Sequence, residues 1–473
     1  MRPYLTPMLA VSALLAALVA PRLLAASTAV PAAPPETPAD PEAPADPSTP
    51  ILASDAPQLH VRLDRSAALA GDVVRAELTL VAPEVTDEAP ALPTDVVLVV
   101  DRSGSMNGGK IAEARSAAES LIGALGPDDR VSLVSFASDV TVDLALSPVG
   151  PASYTSVRRL RSGGGTELQA GIDVGLSQIQ EPTPGRNRRV IVLTDGRPNT
   201  QAGVVERGQR AATLEAPLTT VGIGTDYDPV LLQQLADAGT GNHYWASPGS
   251  PLDAVFAAEF QSSRTAVTRT TALSWRGPDG VQVVDWGGLP SDGASVALGQ
   301  LFAGQRRSVW VTLRVDPASS GDLDLGRFEL TWTGRDGLPG AQVAAAGSVG
   351  VTRDTRVVAQ NVDKEGWSKS VVNDEYNQVL SKVTAAVGRG DRQAAVDELS
   401  AYQARNFAMN EVVQSAAVTD NLAEAARLQQ QVEQGTVERS GLVDLSTRAY
   451  QGRRNGASAG SFGSYGSVRP RPR

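Results

Sequence analysis

The aliphatic run from Val96 to Val100 constrains the fold more than any other stretch of the chain. An unbroken apolar run of this length is typical of a parallel strand buried on both faces, because a strand with one wet face alternates apolar and polar side chains. Strand patterns then alternate with helical patterns along the chain as far as about residue 260. This alternation predicts an α/β fold with a doubly wound, mostly parallel sheet.

Three polar side chains follow this strand at alternate positions, namely Asp101, Ser103 and Ser105. A loop that leaves the strand in extended form aims alternate side chains to the same side. One carboxylate and two hydroxyls at the carboxyl end of a central strand suit a divalent cation. The alternative is that Ser105 or Asn107 caps the helix that begins near Lys110, and the motif alone does not decide between the two.

A glycine-rich turn and a second buried strand supply further oxygen groups. The turn 162–165 is followed by Thr166, and the strand 189–193 is followed by Thr194 and Asp195. Asp-x-Ser-x-Ser, then a Thr after a glycine-rich turn, then an Asp at a strand end resembles the metal-ion-dependent adhesion site (MIDAS) of von Willebrand factor type A (VWA) domains. The order and spacing of several motifs carry this resemblance.

The resemblance continues through segments 220–228 and 239–245 and covers roughly residues 94–262. It implies a VWA domain whose bound metal keeps one position open for a carboxylate of a partner protein. Mg²⁺ or Mn²⁺ suits octahedral oxygen coordination, and Ca²⁺ fits less well because so few ligands are charged. The metal ligands that the resemblance implies are Asp101, Ser103, Ser105, Thr166 and Asp195.

Strand patterns on both sides of this region predict a β-sandwich. Apolar positions alternate from Leu59 to Leu80, and again in several strands after Thr265. Since two strands seldom stand alone, we expect segments 56–82 and 265–352 to share one sandwich. The VWA domain, residues 94–262, is then inserted in this sandwich or flanked by it.

The C-terminal part of the chain changes to helical periodicity. Val372, Tyr376 and Leu380 begin one apolar stripe, which predicts a small helical region over residues 353–435. Residues 436–473 are rich in Gly, Ser and Arg, a composition that predicts a disordered basic tail.

The N-terminus has the pattern of a secretory signal. Its apolar run, Met8 to Ala20, is too short to span a bilayer of about 30 Å as a helix. Residues 1–27 are therefore expected to be a signal peptide or, if uncleaved, an anchor through residues 8–20. The Pro- and Ala-rich segment 28–55 predicts a stiff linker. We expect an exported protein, which is periplasmic, on the cell surface or secreted.

Composition excludes several classes of function. The chain has no cysteine and two histidines, which removes disulfides and thiolate zinc sites and leaves little for a Ser-His-Asp triad. A net charge of -10 with no basic cluster in the core region argues against nucleic-acid binding. The sequence carries no nucleophile elbow or phosphate loop, so we expect no enzymatic activity.

These features lead to two hypotheses. In the first, the protein binds a partner in adhesion or complex assembly, and its VWA domain captures a partner's Asp or Glu carboxylate through a MIDAS-bound cation. In the second, it is a structural or assembly protein of the cell envelope whose metal only stabilises the fold. An adaptor role in a chelatase or ATPase machine implies a cytoplasmic chain and conflicts with the N-terminal signal. The resemblance further implies that metal occupancy can be relayed to a closing helix, residues 251–260, with a shift of the domain between two affinities.

Overall fold

A computed structural model of the protein describes the residues 56–84, 92–181, 183, 185–246 and 264–454. Four of our predicted segments lie wholly outside this described part: the signal peptide or anchor 1–27, its apolar run 8–20, the linker segment 28–55, and the closing helix 251–260. The end of the predicted tail, 455–473, lies outside it as well.

The described residues form seventeen strands and eleven α-helices. The strands are Gln58–Leu63 (β1), Ala67–Leu69 (β2), Val73–Val81 (β3), Thr94–Asp101 (β4), Arg130–Phe136 (β5), Val140–Pro148 (β6), Asn187–Thr194 (β7), Leu218–Ile223 (β8), Thr240–Ala246 (β9), Thr268–Arg276 (β10), Val281–Asp285 (β11), Ser295–Ala297 (β12), Arg306–Val315 (β13), Gly321–Asp324 (β14), Arg327–Gly334 (β15), Pro339–Ala345 (β16) and Ser348–Thr352 (β17). The helices are Gly109–Ala124 (α1), Pro151–Arg159 (α2), Leu168–Ser177 (α3), Val204–Thr213 (α4), Pro229–Ala238 (α5), Thr355–Gln360 (α6), Lys364–Ser370 (α7), Tyr376–Gly388 (α8), Arg392–Val413 (α9), Ala416–Gln434 (α10) and Arg439–Arg454 (α11). Shorter turns are the 3-10 turn Gly104–Met106 and the π-helical turn Val371–Glu375.

The central sheet has the strand order β6-β5-β4-β7-β8-β9. Strand β4 pairs parallel with β5 and β7, and β6 pairs antiparallel at one edge. Every residue of β4 is buried, because alternate side chains face helices on opposite sides of the sheet. Leu98 packs in the core with α1, and Val99 packs in the core with α3. The predicted doubly wound α/β fold is confirmed.

Chain segments from both sides of this α/β region share a second sheet, with the order β1-β3-β13-β11. Strands β3 and β13 pair antiparallel from Val73 opposite Arg314 to Val81 opposite Arg306. A third sheet, β12-β10-β15-β16, faces the second sheet, and Leu78 and Phe328 lie in their common core. The two segments therefore contribute to one sandwich, while the domain bounds given above stay predictions.

Helices occupy the C-terminal region, as its periodicity predicts. Gly388 is the last residue of α8, and Asp391 caps α9 by accepting a hydrogen bond from the Ala394 N–H at 3.1 Å. A capping carboxylate satisfies a backbone donor that has no partner within the helix.

The prediction of disorder from residue 436 is wrong for residues 439–454, which form α11. Val443 and Tyr450 are buried on this helix. Its last arginines, Arg453 and Arg454, form ion pairs with the buried Asp237 at 3.7 and 3.5 Å. The basic composition of this segment predicts solvated arginines, but the acidic partner of Arg453 and Arg454 lies more than 200 residues earlier in the chain.

Strand β9 approaches β8 so closely that one position requires glycine. A Cβ atom on Gly241 would lie 2.2 Å from the carbonyl oxygen of Leu218 and 2.8 Å from the amide nitrogen of Thr219. Both neighbours are backbone atoms of the adjacent strand, so they cannot rotate away as a side chain would.

We expect Gly241→Ala to lower the free energy of unfolding by about 1–3 kcal/mol or more, since it forces β8 and β9 apart. Gly441→Ala is the matched control, because nothing lies within 4 Å of its Cβ position and it sits inside α11. The control is expected to be neutral or to gain up to about 1 kcal/mol. Urea unfolding of both variants measures the difference, and equal stabilities would show that β8 and β9 tolerate a Cβ atom at position 241.

The π-helical turn before α8 buries a carboxylate. Burial raises the pKa of Asp374 to about 6, against the opposing effects of the Arg75 guanidinium and a hydrogen bond from Gln378 at 2.7 Å. The neighbouring Asp285 and Glu375 carboxylates raise this pKa further. Burial therefore makes the charged form of Asp374 unfavourable in the folded protein.

A raised pKa in the folded state makes stability fall as pH rises from about 4 to 7, because the native state holds the proton more tightly there. Asp374→Asn removes this dependence. The free energy of unfolding of the variant minus that of wild type is expected to be higher at pH 7.5 than at pH 4. The increase should be roughly 2–3 kcal/mol, the equivalent of the pKa shift. Urea unfolding of both proteins at both pH values tests this, and a difference that does not change with pH would refute it.

Candidate metal centre

The predicted ligands lie at the carboxyl-terminal edge of the central sheet. Asp101 is the last residue of β4, and Asp195 directly follows β7. Because β4 and β7 are adjacent and parallel, their ends meet at the same edge. Ser103 and Ser105 follow in the turn after β4, which bends into the start of α1.

Hydrogen bonds connect these side chains into one cluster. The Ser103 and Ser105 hydroxyl oxygens are 3.0 Å apart, and the Ser105 hydroxyl donates to Asp195 Oδ1 at 2.7 Å. The Ser103 N–H donates to Asp101 Oδ1 at 2.7 Å, and the Thr194 hydroxyl donates to Asp101 Oδ2 at 2.6 Å. Each carboxylate is therefore held in a fixed orientation.

Thr166 lies in the loop before α3 and joins the same cluster. A Cβ atom on Gly196 would lie 3.5 Å from both Ser105 Oγ and Thr166 Oγ1, so the two hydroxyls flank one point. The Gly104 N–H donates to the Gly164 carbonyl at 3.0 Å and ties the two loops together. The structure thus brings all five predicted side chains together.

The sequence pattern of residues 166–179 predicts a helix that Thr166 both begins and caps, and that start is wrong. Helix α3 starts at Leu168, with Glu167 before it. The Thr166 carbonyl accepts the Asn199 N–H at 3.1 Å, and the Glu167 N–H donates to the Ala137 carbonyl at 2.9 Å. These bonds to neighbouring loops hold the backbone outside the helix and leave the Thr166 hydroxyl to the cluster.

Lys110 belongs to the site, and we did not predict it. Its ammonium group lies 2.5 Å from Asp195 Oδ2, and the Asp195 side chain is completely buried. A lysine in the first turn of a helix opposes the helix dipole, which favours acidic residues there. That unfavourable placement is a signal in the sequence for a nearby carboxylate. Thr194, which orients Asp101, was likewise missed as a participant.

Burial raises the pKa of the Asp101 carboxyl, and hydrogen bonds from Ser103 and Thr194 oppose that shift. The nearby Asp195 carboxylate raises the pKa of Asp101 as well. Two buried carboxylates and one lysine leave the cluster with a net negative charge. A cation placed among these oxygens would compensate that charge.

The donor set fits a small divalent cation. Its members are carboxylate and hydroxyl oxygens, and the two serine oxygens stand 3.0 Å apart. Adjacent ligands of an octahedral Mg²⁺ site with bonds of about 2.1 Å are separated by about 3.0 Å, which is the same spacing. Within the described residues, no group of three or more His, Cys, Asp or Glu side chains could hold a metal, and this cluster itself has two carboxylates beside its hydroxyl oxygens. That these five residues bind a metal stays a prediction.

A family comparison agrees with this fold. Residues 95–254 match the family model of the von Willebrand factor type A domain. The chain therefore contains a VWA domain, whose central sheet and flanking helices are those described above.

Relatives by sequence match part of the chain. An uncharacterized protein of Synechocystis sp. is 26% identical over 274 residues, which cover 53% of this chain and 64% of that protein. Inter-alpha-trypsin inhibitor heavy chain H4 of Bos taurus is 28% identical over 197 residues, which cover 37% of this chain and 21% of that protein. The chain thus spans less than two thirds of the length of these relatives.

Two solved structures resemble the fold beyond the VWA domain. A von Willebrand factor type A protein from Catenulispora acidiphila covers 84% of this chain and 97% of its own, with a TM-score of 0.62 and 19% identity. The ArnB paralog VWA2 from Sulfolobus acidocaldarius covers 85% of this chain and 99% of its own, with a TM-score of 0.54 and 17% identity. At this identity the likeness shows the fold alone. Among the described residues, no helix is both long enough and apolar enough to cross a membrane.

Proposed function

We propose that this protein binds a partner protein in a metal-dependent manner, in adhesion or complex assembly. The observation that carries the proposal is the convergence of the five oxygen groups at the open edge of the sheet. Ser105 is exposed there while Asp101 is buried, so a cation would be held by a buried carboxylate and would still be accessible from solvent. Mg²⁺ or Mn²⁺ would be held by Asp101, Ser103 and Ser105, with Thr166 and Asp195 completing the set.

The charge of the site supports a carboxylate as the partner's group. Asp101 and Asp195 contribute two negative charges and Lys110 one positive charge. A bound divalent cation supplies two positive charges, which leaves the loaded site with one net positive charge. An Asp or Glu side chain of a partner both neutralises that charge and offers the oxygen ligand that these metals prefer.

We propose binding rather than catalysis. Both histidines of the chain lie away from the cluster, His60 in β1 of the sandwich and His243 in β9. Burial lowers the pKa of His243 to about 3, and its Nδ1 lies 2.8 Å from the Thr220 hydroxyl. The described residues at the site therefore provide no histidine as a general base.

The alternative is a structural or assembly protein of the cell envelope in which the metal only stabilises the fold. The two hydrogen-bonded loops around Gly104 and Gly164 favour such a stabilising role, because a cation would tie them further. Under either proposal we expect export, with or without anchoring through residues 8–20.

Chelation distinguishes the two functions. The full chain is immobilised and exposed to an extract of its source organism, with Mg²⁺ or with EDTA, and its melting temperature is measured in the same buffers. We expect EDTA to release the retained partner. If EDTA lowers the melting temperature but the partner stays bound, the structural alternative is correct.

A further inference from the structure

A groove of about 300 Å³ opens between the VWA domain and the C-terminal helices. One wall is formed by the loops after β7 and β8, where Arg197 and Thr225 lie. The other wall is formed by the end of α8 and the start of α11, where Arg389 and Arg439 lie. Three arginines from three separate elements therefore line one groove.

The groove begins at the rim of the candidate metal centre. Arg197 lies two residues after Asp195. Thr225 follows Gly224, where an added Cβ atom would lie 3.7 Å from the Lys110 side chain, and Lys110 contacts Asp195. A polypeptide that places a carboxylate at the metal centre can therefore continue into this groove.

The arginines differ in how they are held. Arg439 donates to the carbonyls of Thr225 and Asp226, each at 2.8 Å, and its guanidinium lies 3.9 Å from the Asp226 carboxylate. Arg197 and Arg389 are exposed, and their side chains have no hydrogen bond or ion pair within the described part of the chain. Those two guanidinium groups are available to a ligand.

The acidic side chain that lines the groove is already engaged. Asp228 caps α5 by accepting the Leu231 N–H at 3.1 Å, and its other oxygen accepts a hydrogen bond from Gln201 at 3.0 Å. Its charge also lies at the positive end of the α5 dipole. The charge of the groove therefore stays positive on balance.

We propose that this groove binds an acidic stretch of the partner polypeptide next to the carboxylate held at the metal centre. As regards that anchoring carboxylate, the inference rests on the proposed function. Guanidinium groups present paired donors that match a carboxylate, and Leu442 and Pro229 give the walls apolar surface for the stem of a glutamate side chain. The groove thus selects partners whose binding segment carries several acidic residues.

Three end-blocked, fluorescently labelled nonapeptides of Gly and Ser test this with the full chain. The first has one central Glu, the second has two further Glu residues on each side of it, and the third has a central Gln and no acid. Fluorescence anisotropy at low ionic strength gives their affinities in Mg²⁺ and in EDTA. In Mg²⁺ we expect the multiply acidic peptide to bind about tenfold more tightly than the single-Glu peptide, the effect of two exposed ion pairs.

The double variant Arg197→Gln/Arg389→Gln is expected to reduce that ratio to within about twofold and to leave the affinity for the single-Glu peptide unchanged. The matched control, Arg314→Gln/Arg427→Gln, changes two exposed arginines on β13 and α10, away from the groove, and should keep the tenfold ratio.

A wild-type ratio near one, or a tenfold ratio that survives in the groove variant, would overturn the inference. If the single-Glu peptide binds equally in Mg²⁺ and EDTA, the proposed metal-dependent function is wrong. The groove is then still tested in EDTA. There the multiply acidic peptide should bind wild type more tightly than the neutral peptide does, and this difference should be absent in the variant Arg197→Gln/Arg389→Gln. If no peptide binds in either buffer, both are wrong.

Discussion

A chain that ends at Glu438, and so lacks α11, is expected to lose about 5 kcal/mol or more of its free energy of unfolding. Three large apolar side chains of α11 are at least nine-tenths buried, Val443, Leu445 and Tyr450. Burying each apolar side chain of this size contributes about 1.5–3 kcal/mol. The loss is comparable to the whole stability of a typical domain.

The effect is large because α11 joins two hydrophobic cores. Val443 packs in the core of the VWA domain with α3 and α5, whereas Leu445 and Ala449 pack in the core of the C-terminal helices. Gln233 of α5 donates to the Ser446 hydroxyl of α11 at 2.9 Å. Without α11, the parts of both cores that this helix covers would be exposed to water.

Deletion of α11 also leaves the buried Asp237 without its ion pairs to Arg453 and Arg454. A buried charge that loses its partner is costly. Urea unfolding measures the stability of the shortened chain, and a chain ending at Arg454 is the control because it keeps all of α11. Equal stabilities of the two chains would contradict this role of the helix. Asp237→Asn in the shortened chain should recover part of the loss.

The second large effect is expected at the metal centre, where Asp101→Asn should weaken Mg²⁺ or Mn²⁺ binding by at least about 100-fold. Substitution of outer-shell partners alone costs about 10–100-fold, and Asp101 is expected to be a direct ligand with a full negative charge. The amide can still accept the Ser103 N–H, and the Thr194 hydroxyl can turn to accept from its amide group.

Because burial raises the pKa of the Asp101 carboxyl, removing its charge should not destabilise the metal-free protein. Mn²⁺ titration followed by electron paramagnetic resonance measures the affinity, and urea unfolding in EDTA measures the stability. Asp139→Asn is the control, since this exposed carboxylate pairs with Arg102 beside the cluster and is not among the proposed ligands. Equal losses of affinity in the two variants would mean that general charge, rather than coordination, holds the ion.

The features that the sequence predicts well are local. The run Val96–Val100 marks the central strand because a fully buried parallel strand has no polar face. The five oxygen residues were identifiable because each follows a strand end or a glycine-rich turn, and parallel topology then brings those ends to one edge.

The features that were missed depend on contacts between distant parts of the chain. Helix α11 looks like a tail by composition, because the acid that pairs with Arg453 and Arg454 is Asp237 of another domain. The start of α3 at Leu168 is set by hydrogen bonds from neighbouring loops rather than by capping propensity. Lys110 reaches Asp195 through a long side chain whose direction the periodic pattern does not specify.

We propose that the oxygen cluster after β4 and β7 is a divalent-cation site. Anomalous scattering from crystals of the full chain grown with Mn²⁺ tests it most directly. We expect one strong peak within coordination distance of the Ser103 and Ser105 hydroxyls, on the side of Asp101, and no such peak in the Asp101→Asn variant. Crystals that bind Mn²⁺ elsewhere, with no peak at this cluster, would contradict it.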